Sequence, residues 1–202
     1  MLRLIGKIPQ RITVACSGGA DSMCVVDFLL KGKRTIHLAY FNHDTLHSKE
    51  AEKFVKRYAA KNKLLLTVGR VKGNKGKRSV EEFWRDERYS FLESLNANFI
   101  ITAHHLDDVV ETWLMSSFHG NPKLIPYSRN GKIFRPFLLT RKKEILNYAN
   151  RHDVEFVEDP SNFNTKYMRN YTRYNIMPHV LKVNPGIRKT IRKKLIETID
   201  DI

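Results

Sequence analysis

Apolar and polar positions alternate between two periods along this chain. Residues 11–19 (RITVACSGG) are an apolar run ending on paired glycines, which predicts a short buried strand that runs into a tight turn. Residues 21–33 (DSMCVVDFLLKGK) switch to the helical period. Met23, Val26, Leu29 and Leu30 share one face there, and Gly32 is placed to stop the helix. Residues 35–44 and 64–71 predict a second and a third strand, and residues 48–63 between them predict a helix with Ser48 as its N-cap. A basic, glycine-containing loop follows at 72–79, then a predicted helix over 80–95 that packs through Phe83, Trp84, Phe91 and Leu92. Residues 97–105 predict a fourth strand and 106–118 a helix. Residues 131–139 predict a short extended piece, 140–152 a helix capped by Thr140, and 154–162 a last short strand and turn. From Asn164 onward no strand pattern recurs, and the period is helical.

Strand followed by helix, four or five times over, predicts an α/β fold: a parallel sheet with helices on both faces. In open sheets of this kind ligands bind beyond the carboxyl ends of the strands. Two polar segments, SGGADS at 17–22 and TAHHLDD at 102–108, directly follow predicted strands, so both are expected at that rim. Residues 1–163 are read as one catalytic domain and 164–202 as a basic helical extension of the same domain. No separate C-terminal domain is expected after them.

The charge balance points to a partner. The 202 residues carry 36 Lys and Arg against 21 Asp and Glu, a formal net charge of +15. A balance this basic is best matched by a polyanion, and nucleic acid is the first expectation. An anionic membrane is the second, without an amphipathic anchor to support it. Hydrophobic content of 42% fits an ordinary globular chain, and no apolar run approaches the roughly 20 residues that cross a bilayer. The two cysteines, Cys16 and Cys24, form no CxxC pair, which suggests a reducing compartment and a cytoplasmic protein.

A loop that turns from a strand into a helix presents free backbone N–H groups and the positive end of the helix dipole, and glycines let an anion approach closely. That makes residues 17–22 a candidate phosphate cradle. Three familiar cradles and elbows do not fit: GxxxxGK[ST], GxGxxG and GxSxG are all absent from this segment. Ser17-Gly18-Gly19-Ala20-Asp21-Ser22 instead resembles the SGGxDS loop of the N-type ATP pyrophosphatases, the PP-loop superfamily, with its Rossmann-like fold. The resemblance implies ATP cut between the α and β phosphates. Ser17, Ser22 and the amides of Gly18 and Gly19 would grip the departing pyrophosphate. Asp21 would orient the loop or help hold Mg²⁺ that arrives with ATP.

Further segments narrow the resemblance. AHHLDDVVETWLMSSFHG at 103–120, RPFLLTRKKEI at 135–145 and EDPSNFNTKYMRNYTRYNIMP at 158–178 look like signatures of the tRNA(Ile)-lysidine synthetase family. SVEEFWRDERYSFL at 79–92 resembles its ARxxRY helix through Arg85, Arg88 and Tyr89. The resemblance implies ATP-dependent ligation of free L-lysine to C2 of the wobble cytidine of a CAU-anticodon tRNA(Ile), through an adenylated cytidine. It also implies roles for residues. Asp108 and Glu111, one helical turn apart, would capture the lysine and take its ε-ammonium proton, with Asp107 and His105 beside them. The bland alternative is a carboxylate cluster complementing a helix dipole. His104 and His105 are read as ATP contacts, strand-end structural groups or, with Asp107 and Asp108, metal ligands; no dedicated metal site is expected. His43 is placed with ATP. Arg85, Arg88, Arg135, Arg169, Asn170 and Arg173 are expected on tRNA or ATP phosphates, with surface salt bridges as the alternative for the last three. Lys75, Lys77 and Arg78 would clamp the anticodon stem or simply lie in a solvated loop. Asp159-Pro160-Ser161-Asn162 reads most simply as an Asx turn.

One stretch departs from the family pattern. After the second strand the family has a DHGLR- or NHGLR-like run, and here the chain reads FNHDTLHS, keeping His43 but placing Asp44, Thr45, Leu46 and His47 in the other positions. Larger relatives carry C-terminal domains that grip the tRNA; without them, rejection of the similar methionine tRNA is expected to be weaker, or to rest on a homodimer or on the anticodon loop alone. Two other functions share parts of the pattern. A PP-loop tRNA thiolase would use the same adenylation but ordinarily needs more cysteines. A degenerate tRNA-binding module would not need Asp21, Ser22, Asp108 and Glu111 intact.

Overall fold

The structure, a computed structural model, describes residues 2–200; the last two residues of the expected helical extension lie outside the described residues. Its centre is a six-stranded sheet in the order β3-β2-β1-β4-β6-β5. The strands are β1 (Arg11–Ala15), β2 (Thr35–Asn42), β3 (Leu65–Arg70), β4 (Ile100–Ile101), β5 (Ser128–Arg129) and β6 (Ile133–Phe134). All neighbours pair in parallel except β5 with β6, an antiparallel hairpin at the edge. Arg11–Ala15 pairs residue for residue with Thr35–Ala39, which fixes which side chains face each layer. The sheet order reverses direction at β1, whose neighbours are β2 and β4. That is the switch point where doubly wound sheets open a crevice beyond the strand ends.

Helices cover both faces, as the strand–helix alternation predicts. On one face Ile12, Val14, Ile36 and Leu38 pack against α1 (Ala20–Lys31), α2 (Leu46–Lys61) and α5 (Lys142–Arg151) through Met23, Leu29, Val55 and Ile145. On the other, Ala39, Ile100 and Ile133 pack against Tyr89 and Leu92 of α3 (Val80–Ser94). A separate core joins α4 (Leu106–Ser117) to the tail: Val109, Val110 and Leu114 meet Met177, Ile187, Ile191 and Leu195. The tail consists of α6 (Met168–Tyr171), a π-helical turn (Thr172–Ile176), α7 (Met177–Val183) and α8 (Ile187–Asp200). So the segment after Asn164 is helical, and it closes over α4 instead of standing apart.

Several local expectations are corrected. The N-cap of α2 is Thr45, not Ser48; the two form a capping box, with Thr45 Oγ1 accepting from the Ser48 amide and Ser48 Oγ accepting from the Thr45 amide. This uses the stretch that departs from the family pattern: Asp44 takes φ +60 and Thr45 starts the helix. Thr140 does not cap α5, which begins after Arg141. Instead Thr140 Oγ1 accepts from the Arg3 amide and donates to the Arg3 carbonyl, fastening the N-terminal segment. Residues 154–159 form no strand; they run extended, with the Val157 amide on the Gly18 carbonyl, before a 3-10 turn at Pro160–Phe163. That turn is the expected Asx type, since Asp159 Oδ1 accepts from the Ser161 amide. Gly32 ends α1, but the left-handed position falls on Lys33 at φ +57, with Lys33 N on Leu30 O and Arg34 N on Leu29 O.

The α4–α8 core generates a stability prediction. Leu195 is fully buried between these helices. Leu195→Ala removes its apolar contacts and leaves a cavity, so it should lower unfolding free energy by about 2–5 kcal/mol in urea denaturation. A change below about 0.5 kcal/mol, the range of neutral surface substitutions, would mean that α8 is not part of the core.

Candidate active site

The loop after β1 is shaped by its glycines. Gly18 sits at φ +82, and a Cβ there would press on Val157 at 3.2 Å and Val55 at 3.3 Å. Both the backbone angle and the space therefore require glycine. The Ser22 hydroxyl organises the turn: it accepts from the Ser17 amide at 3.1 Å and donates to the Gly19 carbonyl at 3.0 Å, with Ser17 Oγ 3.1 Å away. Ser17 Oγ accepts from the Gly19 amide. Gly19 precedes α1 with no side-chain cap, so the first-turn amides of a 12-residue helix remain open toward the crevice. With the Ser17 and Gly19 amides and the Ser22 hydroxyl used within the turn, the Ala20, Asp21 and Ser22 amides are the donors left for an anion such as a phosphate oxygen.

Across the switch point, β4 leads into α4 through His104 and His105. His105 is 2% exposed and is the N-cap: its Nδ1 accepts from the Asp108 amide at 3.3 Å, and Asp108 Oδ2 accepts from the His105 amide at 2.9 Å. Because Nδ1 accepts, the imidazole proton belongs on Nε2, which points at Asp21 Oδ1, 3.7 Å away. Burial opposes protonation of His105, but Asp108 and Asp21 on either side pull its pKa up. The Lys142 ammonium donates to Asp21 at 2.6 Å. Burial pushes the Asp21 carboxyl up, yet His105 and Lys142 outweigh it and hold it well below the usual range. A continuous polar chain therefore joins the phosphate loop to the start of α4.

The chain continues to a carboxylate pair. Asp108 and Glu111 are both buried and lie one turn apart on the face of α4 that meets the π-helical turn. Arg173 of that turn donates to both Glu111 oxygens at 2.7 and 2.9 Å and lies 3.7 Å from Asp108. Arg169 approaches Asp108 at 4.0 Å and donates to Thr112 at 3.0 Å. The two carboxyls are tuned in opposite directions. Burial raises Asp108, but His105, through its ring and its backbone amide, and Arg169 overcome that and leave it lowered. Burial raises Glu111 and prevails, even with Arg173 pulling the other way.

A separate group of arginines gathers on Tyr89 of α3. Arg85, Arg88, Arg129 and Arg135 all lie over the Tyr89 ring, at 5.8, 5.4, 4.3 and 5.9 Å. Arg135 is 3% exposed, donates to the Tyr89 hydroxyl and the Pro126 carbonyl, and leaves its buried Nε without a partner. Burial and Arg88 push the His43 pKa down to about 4, and burial, against Asp108 but with Arg88 and Arg135, pushes His104 to about 3. Both imidazoles are neutral at pH 7. His43 is wedged between Phe41 and Trp84.

Residues 3–180 match the PP-loop domain family. This chain belongs to that family. Among relatives, it is 37% identical to a tRNA(Ile)-lysidine synthase of Persephonella marina, the match covering 90% of this chain and 44% of that protein. It is 35% identical to a tRNA(Ile)-lysidine synthase of Thermosipho africanus over 90% of this chain and 46% of that one. The chain thus spans less than half the length of either. The U34-tRNA thiolase NcsA of Methanococcus maripaludis, solved with its [4Fe-4S] cluster, is similar in fold at a TM-score of 0.74 and 16% identity, covering 97% of this chain and 74% of that one.

Within this PP-loop fold the expected site residues do not all stay together. The loop residues Ser17 to Ser22, with His105, Asp108, Glu111, Arg169 and Arg173, converge in one charge network. Asn170 is structural here: its amide donates to the Ser161 and Asn164 carbonyls and fastens the Asx turn. Asp107 points away from Asp108 and Glu111. Its oxygens accept from the Lys142 amide at 2.7 Å and Arg188 Nε at 2.7 Å, tying α4 to α5 and α8. Lys75, Lys77 and Arg78 lie in an exposed loop whose Arg78 pairs with Asp86 of α3. Sequence reasoning missed Lys142, the ammonium on Asp21. The segment 135–145 was singled out, but four of its residues are cationic and nothing in the pattern says which one turns inward.

Asp107 supplies a pH test. Its carboxyl is raised by burial but, through Lys142 and Arg188, held below the ordinary value. A depressed carboxyl stabilises the fold fully above the unfolded pKa near 3.9 and loses that contribution as pH falls through the folded value. Asp107→Asn should therefore lower stability by about 1–3 kcal/mol at pH 7, and the gap from wild type should shrink below about pH 4. Urea denaturation at both pH values checks this; a gap independent of pH contradicts it.

Proposed function

We propose that this PP-loop domain adenylates O2 of the wobble cytidine of a CAU-anticodon tRNA(Ile) and then joins the ε-amine of free lysine to C2, giving lysidine, AMP and pyrophosphate. The observation that carries this reading is the buried carboxylate pair Asp108 and Glu111, wired through His105 and Asp21 to a phosphate loop. The names of the relatives supply the substrate class: both are tRNA(Ile)-lysidine synthases.

The chemistry follows from the site. In the first step a bond forms between cytidine O2 and the α-phosphorus, and the bond from α-phosphorus to the bridging oxygen of the β-phosphate breaks. The leaving pyrophosphate collects charge, which the first-turn amides of α1, the Ser17 hydroxyl and the Lys142 ammonium would receive. Mg²⁺ arriving with ATP would supply further charge neutralisation, and Asp21 is the carboxylate that would help hold it. In the second step the lysine nitrogen attacks C2 and AMP leaves. An ammonium has no lone pair, so it must first lose a proton. Two carboxyls driven apart in pKa divide that work. Glu111, raised by burial, is the proton acceptor, and Asp108, held ionised, anchors the cation. Arg173 holds Glu111 in place and must share it with the incoming lysine.

A thiolase shares the fold, but the site lacks its thiols. A [4Fe-4S] cluster draws on several cysteine thiolates. The sequence has two cysteines, and burial pushes Cys16 to about 11 and Cys24 to about 12, leaving both protonated at pH 7.

The two steps can be separated. Glu111→Gln should slow the lysine step by roughly 10²–10⁴-fold, so adenylated tRNA accumulates and AMP release becomes slow. Asp21→Asn should suppress formation of the adenylate itself. Mass spectrometry of the tRNA after incubation with ATP and labelled lysine reads both. Lysidine formed by Glu111→Gln at the wild-type rate would remove Glu111 from the mechanism. Lysine-independent, sulfur-dependent turnover would favour thiolation, and RNA binding without turnover a binding module.

A further inference from the structure

A second basic feature lies beside the catalytic crevice and takes no part in the steps above. Between α5 and α8 the surface opens into a cleft of about 410 Å³ with Leu106 and Leu139 on its walls. Its cations are Arg3, Arg141, Lys143, Lys189 and Arg192, with Arg188 at the wall already paired to Asp107. The one carboxylate lining it, Glu144, is committed: Oε2 accepts from the Arg141 amide at 2.8 Å, and Oε1 stands 4.0 Å from Arg3. Among the described residues, Arg141, Lys143, Lys189 and Arg192 have no carboxylate partner within 4.0 Å, and the buried Arg192 Nε has no hydrogen-bond acceptor. A surface of unmatched like charges is self-repelling unless an anion fills it.

The cleft is also mechanically joined to the active site. The first residue of α5, Lys142, gives its backbone N–H to Asp107, the partner of the cleft-lining Arg188, and its ammonium to Asp21 of the loop after β1. Its neighbours Arg141 and Lys143 line the cleft. We propose that this cleft holds the sugar–phosphate backbone of the RNA substrate, as a docking site separate from the pocket that handles the base. This rests on the reading of the chain as an RNA-modifying enzyme, but it assigns a different surface. A nucleic-acid strand fits because it offers several phosphates at fixed spacing to several cations along one concave track. Docking there leaves part of the same strand within reach of the loop at the other end of Lys142.

The test is direct binding, which needs no turnover. Fluorescence anisotropy of a labelled CAU-anticodon tRNA(Ile) transcript is compared for wild type, the cleft pair Lys143→Glu/Lys189→Glu, each single change, and a charge-matched pair on the outer face of α2, Lys53→Glu/Arg57→Glu. All these side chains are exposed, and thermal melts confirm that the variants are folded. The cleft pair is expected to weaken binding at least tenfold and to reduce the slope of log K against log salt by about 1.5–2, one contact per lysine. The α2 pair should stay within about threefold of wild type. Equal losses in both pairs would make the effect one of net charge and overturn the proposal. So would no loss in the cleft pair, or no RNA binding by wild type. Vesicles rich in anionic lipid provide the remaining arm: loss of vesicle binding with RNA binding intact would also refute it. Wild type that binds RNA through the cleft yet makes no lysidine would leave the cleft standing and remove the proposed reaction.

Discussion

The carboxylate of Asp21 is the constraint on which the site depends. It lies in the first turn of α1, immediately after the glycine turn, and it faces the His105 imidazole and the Lys142 ammonium from two other elements. Three segments far apart in sequence are thereby brought to one point: the turn after β1, the N-cap of α4 and the first residue of α5. The sheet order makes this possible, because β1 and β4 are adjacent and both end at the switch point. Partly buried charges are tolerated there because each has an opposite charge or a hydrogen-bond donor against it. Removing Asp21 would leave the Lys142 ammonium without its carboxylate and the buried His105 with Asp108 alone.

The same network separates two carboxyls one turn apart. Asp108 is embedded in donors, with the His105 amide on it and cationic groups around it, and it remains ionised. Glu111 is less exposed than Asp108, answers chiefly to Arg173 and has the Asp108 charge beside it, so burial prevails. Arg173 projects from a π-helical turn, a wider coil often found where a side chain must be aimed at a site. The helical tail is thus tied to α4 by charge as well as by apolar packing: α6 and the π turn bring Arg169 and Arg173 to α4, while α8 buries Ile191 and Leu195 against it.

The sequence made the rim legible because its demands there are local. Two glycines between an apolar run and a helical period leave few backbone solutions, and the positive φ of Gly18 is one of them. The alternation of periods likewise announced the layers. What stayed hidden depended on tertiary choices. Thr45 and Ser48 are both good caps, and only the reciprocal hydrogen bonds decide which one starts α2. Adjacent helix positions differ by about 100° in direction, so Asp107 and Asp108 read alike in sequence. The docking of α5 and α8 draws Asp107 to one side, and the His105 cap holds Asp108 on the other. Residues 154–159 have the alternation of a strand, but they meet the phosphate loop through Val157 and never reach a sheet edge. The selection of Lys142 over its cationic neighbours required knowing where α5 begins.

The proposed reaction requires the loop after β1 to hold the two terminal phosphates of ATP while the adenylyl group is handed to RNA. ATP labelled at the α or the γ position, incubated with the protein, CAU-anticodon tRNA(Ile) and lysine, tests it most directly. The predicted result is label in AMP from the first and in pyrophosphate from the second, one of each per lysidine formed. Label appearing in ADP and inorganic phosphate would contradict the account.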